Sequence, residues 1–447
     1  MNEMLEKFLQ LEKKYNLFNY KIKNVFFWKI LRLSVWHEII MKKGFYEIPP
    51  DSDKINNKMS FFGNCIKNSF TNEKTKKEII FLEADRFYTE NGIEKSIYLE
   101  SMYESYLKNE KSFEVIYPFR LDKKYRRQPQ YQNENLKYLF IKFSNRLREK
   151  FYFFSAEESN FFKNLKEDFE KEFNISNIEI FKERALKREI INFEGIHFYY
   201  KKLFQAKEVK EIFLVCSYGR EPVIAAAQCL NIQVTELQHG GITNTHLGYS
   251  FPKNDIPYFP NTIFIFGEHW KKNEFSENTK IEIYGYPYLR KQIEKYKNLK
   301  KERKQILFIS QGTIGKVLSQ KALEFAKDNP EMKVIYKLHP GEFKCWKNRY
   351  PELYENRSLQ NLEISDNNEK NLYYYLCQSS YLIGVYSTVI YEALELGLKI
   401  GILKLFGYEG LEYFIAQNNV YLFNCKDKIE IIALEKLNTI KKGYLFK

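Results

Sequence analysis

Two of the chain's six histidines, His239 and His246, fall in one short stretch beside the glycine pair Gly240–Gly241. Imidazole is the side chain best matched to proton transfer near neutral pH, so His239 is a candidate proton-transfer group. The apolar run 231–237 leading to it reads as a strand. Gln238, Gly240 and Gly241 then form a turn where the backbone can approach something that a Cβ would exclude. A third histidine, His339, ends the strand-like run 333–338 and is followed by Pro340, which fixes the turn. From there its ring can reach a phosphate or diphosphate leaving group and, protonated, stabilise the charge that develops on it. Ser387 and Thr388 stand between a strand and a helix, either as a plain N-cap or as a phosphate site built on first-turn amides. Glu392, further into that helix, is placed either to reach sugar hydroxyls or to face solvent. Gly312 and Thr313, in the small-residue turn 310–313, offer a second approach to phosphate. Glu83 and Asp85 end the strand 78–82, at the sheet edge where α/β proteins hold ligands, and compete with His239 for the role of base.

Strands and helices must position these groups. Strands are read at 78–82, 115–119, 211–216, 231–237 and 262–266. The pattern then restarts at Gln305, with strands at 305–309, 333–338, 362–365, 381–385 and 399–403. Short strands alternating with helices imply parallel pairing, and two such series imply two Rossmann-like domains with a cleft between them. The expected division is a helical N-terminal region (1–75), an acceptor-side domain (76–290), a donor-binding domain (305–432) and a C-terminal tail (433–447). The segment 291–304 is read as a Lys-rich link, 49–58 as a loop, and 134–210 as mostly helical. Val25 to Trp36 is apolar with Lys and Arg interspersed; it is either a packed helix or an amphipathic helix lying on a membrane.

With 447 residues, 44% of them hydrophobic, the chain is globular and exceeds one ordinary core. The net charge of +14 favours anionic partners. Basic and acidic residues are interleaved, so no arm marks a nucleic-acid binder and no nucleic-acid partner is expected. The six cysteines form no C-x-x-C pair, so neither a zinc site nor a disulfide framework is expected, and a reducing cytosol is the simpler setting. The N-terminus lacks signal-peptide order and no run has transmembrane length. The expected location is therefore cytoplasmic, peripheral at the inner face of the plasma membrane.

Together, the His-Gly loop, the His339–Pro340 pair and the strand-Ser-Thr-helix junction resemble GT-B glycosyltransferases that build bacterial surface polymers. The likeness is to CDP-glycerol glycerophosphotransferases, whose His-Gly loop carries the base, and to bacterial sialyl- and polysialyltransferases, whose donor-phosphate motifs look like His339–Pro340 and Ser387–Thr388. Phe266-Gly267-Glu268-His269-Trp270 is similar to a segment of surface-polysaccharide proteins. The resemblance covers roughly residues 205–400. It departs at the sialyltransferase acidic-acidic-Gly motif, matched only in part at 90–92 and 193–195. It departs also at the Ser-Asp pair of the glycerophosphotransferases, which is Ser387–Thr388 here. The resemblance implies an α/β GT-B fold and an inverting, metal-independent transferase without a cofactor. It would move a sugar from a nucleotide donor, CMP or CDP type favoured, to a capsule, lipopolysaccharide or lipid-linked acceptor, in peripheral contact with anionic membrane. A sugar-nucleotide epimerase of the same fold and a non-catalytic scaffold of polysaccharide assembly are the alternatives.

Overall fold

The computed structural model describes residues 2–47, 76–84, 86–117, 131–133, 135–252, 255–272 and 275–447. Asp85 and the expected loop 49–58 lie outside the described residues.

Two parallel sheets organise the chain. The first contains β1 (Ile79–Leu82), β4 (Phe113–Tyr117), β5 (Tyr131–Asn133), β6 (Glu211–Val215), β7 (Gln233–Leu237), β8 (Thr262–Ile265) and β9 (Lys280–Ile283), in the order β5-β4-β1-β6-β7-β8-β9. The second contains β10 (Glu302–Ile309), β11 (Lys333–Lys337), β12 (Leu362–Ser365), β13 (Ser379–Gly384), β14 (Lys399–Leu403) and β15 (Val420–Phe423), in the order β12-β11-β10-β13-β14-β15. Helices cover both faces of such sheets, so central strands are apolar throughout rather than alternating. Ile306 to Phe308, Leu382 to Ile383 and Ile212 to Val215 are accordingly all buried.

Each sheet reverses its winding once, between β1 and β6 in the first and between β10 and β13 in the second. This is the doubly wound order, in which ligands sit outside the carboxyl ends of the strands at the reversal. Residues following β1, β6 and β13 line one shared cleft. The expected architecture, two Rossmann-like domains facing each other across a cleft, is thus observed: it is the GT-B arrangement.

Local chemistry accounts for several elements. Ser155 and Glu158 form a reciprocal capping box at the start of the helix Ala156–Phe173. The hairpin β2 (Phe87–Glu90) and β3 (Ile93–Ser96) turns through Asn91 at φ 52° and Gly92 at φ 75°, both left-handed as its tight turn requires. The partial motif match at Glu90–Gly92 is therefore a hairpin turn. The other partial match, at Phe193–Gly195, lies within the helix Glu183–Lys207. There a Cβ on Gly195 would stand 2.6 Å from Oδ1 of Asn145 on the crossing helix Asn135–Glu149. Part of the segment read as a link is also helical, over Pro287–Tyr296.

Both termini pack into this body. The helix Phe27–Lys42 is buried on most sides, with Phe27, Trp28 and Val35 fully inaccessible. Its Lys29 and Arg32 are buried as well. The Arg32 guanidinium pairs with Glu12 and donates to the carbonyls of Leu247 and Ser250, each at 2.6 Å, while Lys29 pairs with Glu221 at 3.5 Å. The membrane-lying reading of Val25–Trp36 is thereby corrected: its charges serve core ion pairs, not lipid headgroups. At the other end, Trp270 Nε1 donates to the Leu445 carbonyl at 2.8 Å, and the Lys447 amide donates to the Phe266 carbonyl at 2.8 Å. A Cβ on Gly267 would lie 2.5 Å from the Leu445 carbonyl oxygen. The Phe266–Trp270 segment is thus the seat of the chain's own C-terminal residues.

Candidate functional site

The cleft between the halves has a volume of about 1230 Å³. His239, Gly240 and Gly241 line it from β7, Arg86 follows β1, and Tyr218 follows β6. His339, Ser387, Thr388 and Glu392 line it from the second half. Two histidines 100 positions apart thus share one space.

Around His239 the hydrogen bonds define the tautomer. The chain leaves β6 through Cys216 at φ 68° and Gly219 at φ 79°. This sharp turn carries Tyr218 to the ring, with its Oη 2.9 Å from Nε2. On the other side Tyr249 Oη lies 3.3 Å from Nδ1. Tyr249 donates its hydroxyl hydrogen to Glu236 Oε1, which also accepts from the Ser217 amide at 3.0 Å. Having given up that hydrogen, Tyr249 can only accept from the imidazole. Nδ1 therefore carries the proton, and the Nε2 lone pair receives the hydroxyl of Tyr218. Burial, reinforced by His246 and Arg86, lowers the pKa of His239 to about 4, so the ring is neutral at pH 7. Tyr98 donates to the His239 carbonyl at 2.6 Å and holds the backbone of the loop.

Gln238 is a brace. Its Nε2 donates to the Gly240 carbonyl and its Oε1 accepts from the Phe266 amide, each at 2.8 Å. The glycines serve close approach, as expected, but to the other half of the protein. The Gly241 amide donates to Thr388 Oγ1 at 3.2 Å, and a Cβ on Gly241 would come within 3.0 Å of the Tyr391 ring.

His339 caps its own turn. Its Nδ1 accepts from the Gly341 amide at 3.2 Å and its backbone amide donates to Glu342 Oε2 at 2.9 Å, while Pro340 opens the short helical turn Pro340–Glu342. With Nδ1 accepting, the neutral ring carries its proton on Nε2. Partial desolvation in the cleft, opposed by Glu342 and aided by Arg86, lowers its pKa. The expected imidazolium is thus replaced by a neutral Nε2–H donor, which still suits a phosphate oxygen.

Ser387 is the N-cap of the helix Thr388–Glu395 and accepts from the Val389 amide at 3.3 Å. Glu392 is buried, not on the surface. Its Oε2 has no hydrogen-bond partner among the described residues, and burial raises its pKa to about 7.

Other expectations fail on geometry. Glu83 is fully buried, and its carboxylate accepts from Ser96 Oγ at 2.8 Å and Tyr103 Oη at 2.6 Å. It braces the first sheet and is outside the cleft lining. Asp85, the other competing base, lies outside the described residues. Gly312 and Thr313 are also absent from the lining. The Thr313 hydroxyl pairs with Tyr386, the Gly312 carbonyl accepts from Arg349 at 2.7 Å, and the Thr313 carbonyl accepts the Glu47 amide at 2.8 Å. The Glu47 carboxylate occupies the place where a phosphate was expected, accepting from the Lys316 amide at 3.0 Å and from Arg349 at 2.8 Å.

Sequence reasoning missed Arg86, Tyr218 and Tyr249 as cleft residues. Tyr218 and Tyr249 are two of 34 tyrosines and carry no motif of their own. The available signal was position, since Arg86 and Tyr218 directly follow the two strands at which the first sheet reverses.

No family model matches the chain, and no curated protein matches it. Solved structures similar to it include the UDP-GlcNAc 2-epimerase of Methanocaldococcus jannaschii in complex with UDP-GlcNAc and UDP. That structure is 13% identical, with 83% of this chain and 95% of that chain covered and a TM-score of 0.45. The Neisseria meningitidis UDP-GlcNAc 2-epimerase bound to UDP-GlcNAc is 15% identical over 80% of this chain and 89% of that one, with a TM-score of 0.45. MurG of Acinetobacter baumannii is 11% identical over 80% and 89%, with a TM-score of 0.42. These likenesses are distant and assign no activity. The class defined by strand order and by the shared cleft is a two-domain α/β protein of GT-B architecture.

Proposed function

We propose that this chain is an inverting glycosyltransferase that takes its sugar from a nucleotide-activated donor and uses His239 as base. The carrying observation is the orientation of His239: Nδ1–H held by Tyr249, and Nε2 presenting a lone pair in a cleft that His339, Arg86 and the Ser387–Thr388 helix start also line. An acceptor hydroxyl that replaces Tyr218 as the donor to Nε2 passes its proton to the ring. Its oxygen attacks the anomeric carbon from the side opposite the nucleotide, a new C–O bond forms, and the bond to the donor phosphate breaks with inversion. Tyr249 accepts from the imidazolium, with Glu236 behind it.

The departing phosphate is met by the Nε2–H of His339, by the guanidinium of Arg86 and by amides at the start of the helix Thr388–Glu395. These groups supply the charge stabilisation that makes a metal-independent reaction economical. Glu392, buried beside the same space, suits recognition of sugar hydroxyls. A CMP or CDP donor and a surface-glycan or lipid-linked acceptor complete the proposal on the resemblance of the His-Gly and His-Pro segments.

One observation favours a second reading. Glu392, poised near neutrality, and His239, with a free-base nitrogen, line the same cleft, and an epimerase needs two proton-transfer groups there. Incubation of nucleotide sugars in D2O with and without glycan acceptors separates the two. Acceptor-dependent release of nucleotide supports the transferase. Solvent deuterium entering the sugar without any acceptor overturns it in favour of the epimerase.

A further inference from the structure

Several buried carboxylates of this fold are matched by cations. Glu12 pairs with Arg32, Glu114 with Lys207 at 2.7 Å and Glu221 with Lys29 at 3.5 Å, while Glu236 lies near the Lys29 charge. Glu83 and Glu342 instead have both oxygens occupied by hydroxyl or amide donors. Glu392, 5% exposed, has neither arrangement. Among the described residues no cation pairs with it and its Oε2 has no hydrogen-bond partner. Burial, opposed only by the Tyr373 hydroxyl, holds its pKa at about 7. A buried carboxylate left this way needs either a proton or a cation. Tyrosines stand around it: Tyr98, Tyr286 and Tyr288 from the first half and Tyr373 from the second. Burial first, with the Glu392 carboxylate among the neighbouring charges, raises the phenol pKa of all four. Their rings run in series, Tyr98 stacked on Tyr286 at 5.8 Å, Tyr286 at 6.1 Å from Tyr288, and Tyr288 at 5.6 Å from Tyr373. Glu392 and Tyr98 line the cleft itself. Glu392 also stands four positions after Thr388 on the helix Thr388–Glu395, so the two share one helix face.

We propose that the missing partner arrives with the substrate: the sugar bound in this cleft carries a free amino group, and its ammonium pairs with Glu392 Oε2. The proposal rests on the reading of the cleft as the site of a nucleotide-activated sugar, and it names the class of that sugar. Position assigns the amine to the transferred sugar rather than to the acceptor, because Glu392 shares a helix face with Thr388, where the donor phosphate is proposed to sit. A sugar hydroxyl or an N-acyl amide can donate to Oε2 but brings no charge. It leaves the carboxylate either ionised without a counter-ion or protonated. An ammonium supplies the hydrogen bond and the counter-ion together, and it gains from the π face of Tyr98. Oε2 is closed off from solvent while the halves touch, so the amine enters with the halves apart and is enclosed as Gly241 meets Thr388.

Ligand-observed NMR on the full chain tests it. The probes are glucosamine, 6-amino-6-deoxyglucose, N-acetylglucosamine and glucose, each with and without CMP, CDP, UDP or GDP. At least one amine is expected to bind about tenfold or more tighter than both neutral sugars, the advantage of a hydrogen bond to a charged partner. Glu392→Gln keeps the side chain's size and an acceptor for the Tyr373 hydroxyl, and it is expected to bind amine and neutral sugars alike. An unchanged thermal midpoint confirms that this variant is folded. A wild type without the amine preference overturns the proposal, whatever the variant does. So does a preference that survives Glu392→Gln in full. The two readings fail separately. Nucleotide binding and acceptor-dependent nucleotide release without an amine preference would remove the amine and leave the transferase. An amine preference lost in Glu392→Gln, with no acceptor-dependent release, would keep the amine and remove the transferase.

Discussion

The Gly241 amide donates to Thr388 Oγ1 across 3.2 Å, joining the loop that carries the candidate base to the helix start that is proposed to hold the donor phosphate. The same few atoms therefore link the two halves and border both partners of the proposed reaction. A phosphate seated at Ser387 and Thr388 lies against the loop that presents His239.

Changing Ser387 and Thr388 together to alanine is expected to weaken nucleotide binding at least tenfold by calorimetry. Each lost hydrogen bond to a charged group costs roughly 1.5–3 kcal/mol. The change also removes the N-cap and the contact with Gly241, so the thermal midpoint of the double variant must be measured beside its affinity. Unchanged affinity for CMP, CDP, UDP and GDP would place the donor elsewhere.

His239→Ala and His339→Ala are expected to fail differently. Loss of the base should slow transfer by roughly 10²–10⁴-fold with little change in nucleotide affinity. Loss of the Nε2–H donor at His339 should weaken nucleotide binding and turnover together. Wild-type transfer by His239→Ala would return the role of base to an unassigned group, with Asp85 the first to change.

Tyr249→Phe keeps the ring but removes the acceptor of the His239 Nδ1 proton. Turnover is expected to fall roughly 10- to 100-fold, the equivalent of one buried hydrogen bond. A pH profile distinguishes positioning from mere packing. Free His239 has a pKa of about 4, so kcat/KM should rise with pH around that value and level off above it. Arg86 contributes to that depression, and a bound donor phosphate neutralises Arg86. The corresponding limb in kcat should therefore stand at higher pH than the limb in kcat/KM, and Arg86→Gln should bring the two closer together.

Acid should destabilise the fold through its two buried cleft histidines. His239 and His246 both have a pKa near 4 when folded, against an ordinary 6.5. Between those values the unfolded chain binds the protons and the folded chain does not. Stability is thus fully present above about pH 6.5 and is lost as pH falls towards 4, by roughly 3 kcal/mol per histidine at full protonation. His246→Asn can keep an acceptor for the Gly248 amide and should flatten that slope in thermal melts. An unchanged slope would mean that the His246 ring is not desolvated in the fold.

Glu47→Ala should loosen the tie between the N-terminal segment and the second half. Glu47 bonds to Thr313, Lys316 and Arg349, and the neighbouring Phe45 stacks on Phe406 at 4.7 Å. The expected outcome is a larger radius of gyration in X-ray scattering, with the secondary structure retained. An unchanged radius would show that the Gly241–Thr388 contact holds the halves together without it.

Much of the architecture was legible in sequence, because local chemistry dictates it. Apolar runs such as Ile306 to Phe308 can only be strands covered on both faces. Asn91–Gly92 suits the φ > 0 turn of a hairpin, although only the structure identified it as one. The restart at Gln305 announces a second sheet. The sequence also placed His239, His339 and Ser387–Thr388 at strand ends, since a doubly wound sheet sends its strand ends to one edge. What those groups do was decided by partners far away in the chain. Glu83 looks like a base until Ser96 and Tyr103 occupy its oxygens. Thr313 looks open to phosphate until Glu47 and Tyr386 cover it. The lone pair of His239 has a direction only because Tyr249 donates its hydroxyl to Glu236. Each of these depends on contacts between residues 10 to 266 positions apart, and sequence spacing carries no information about hydrogen bonds formed only when the chain has closed on itself.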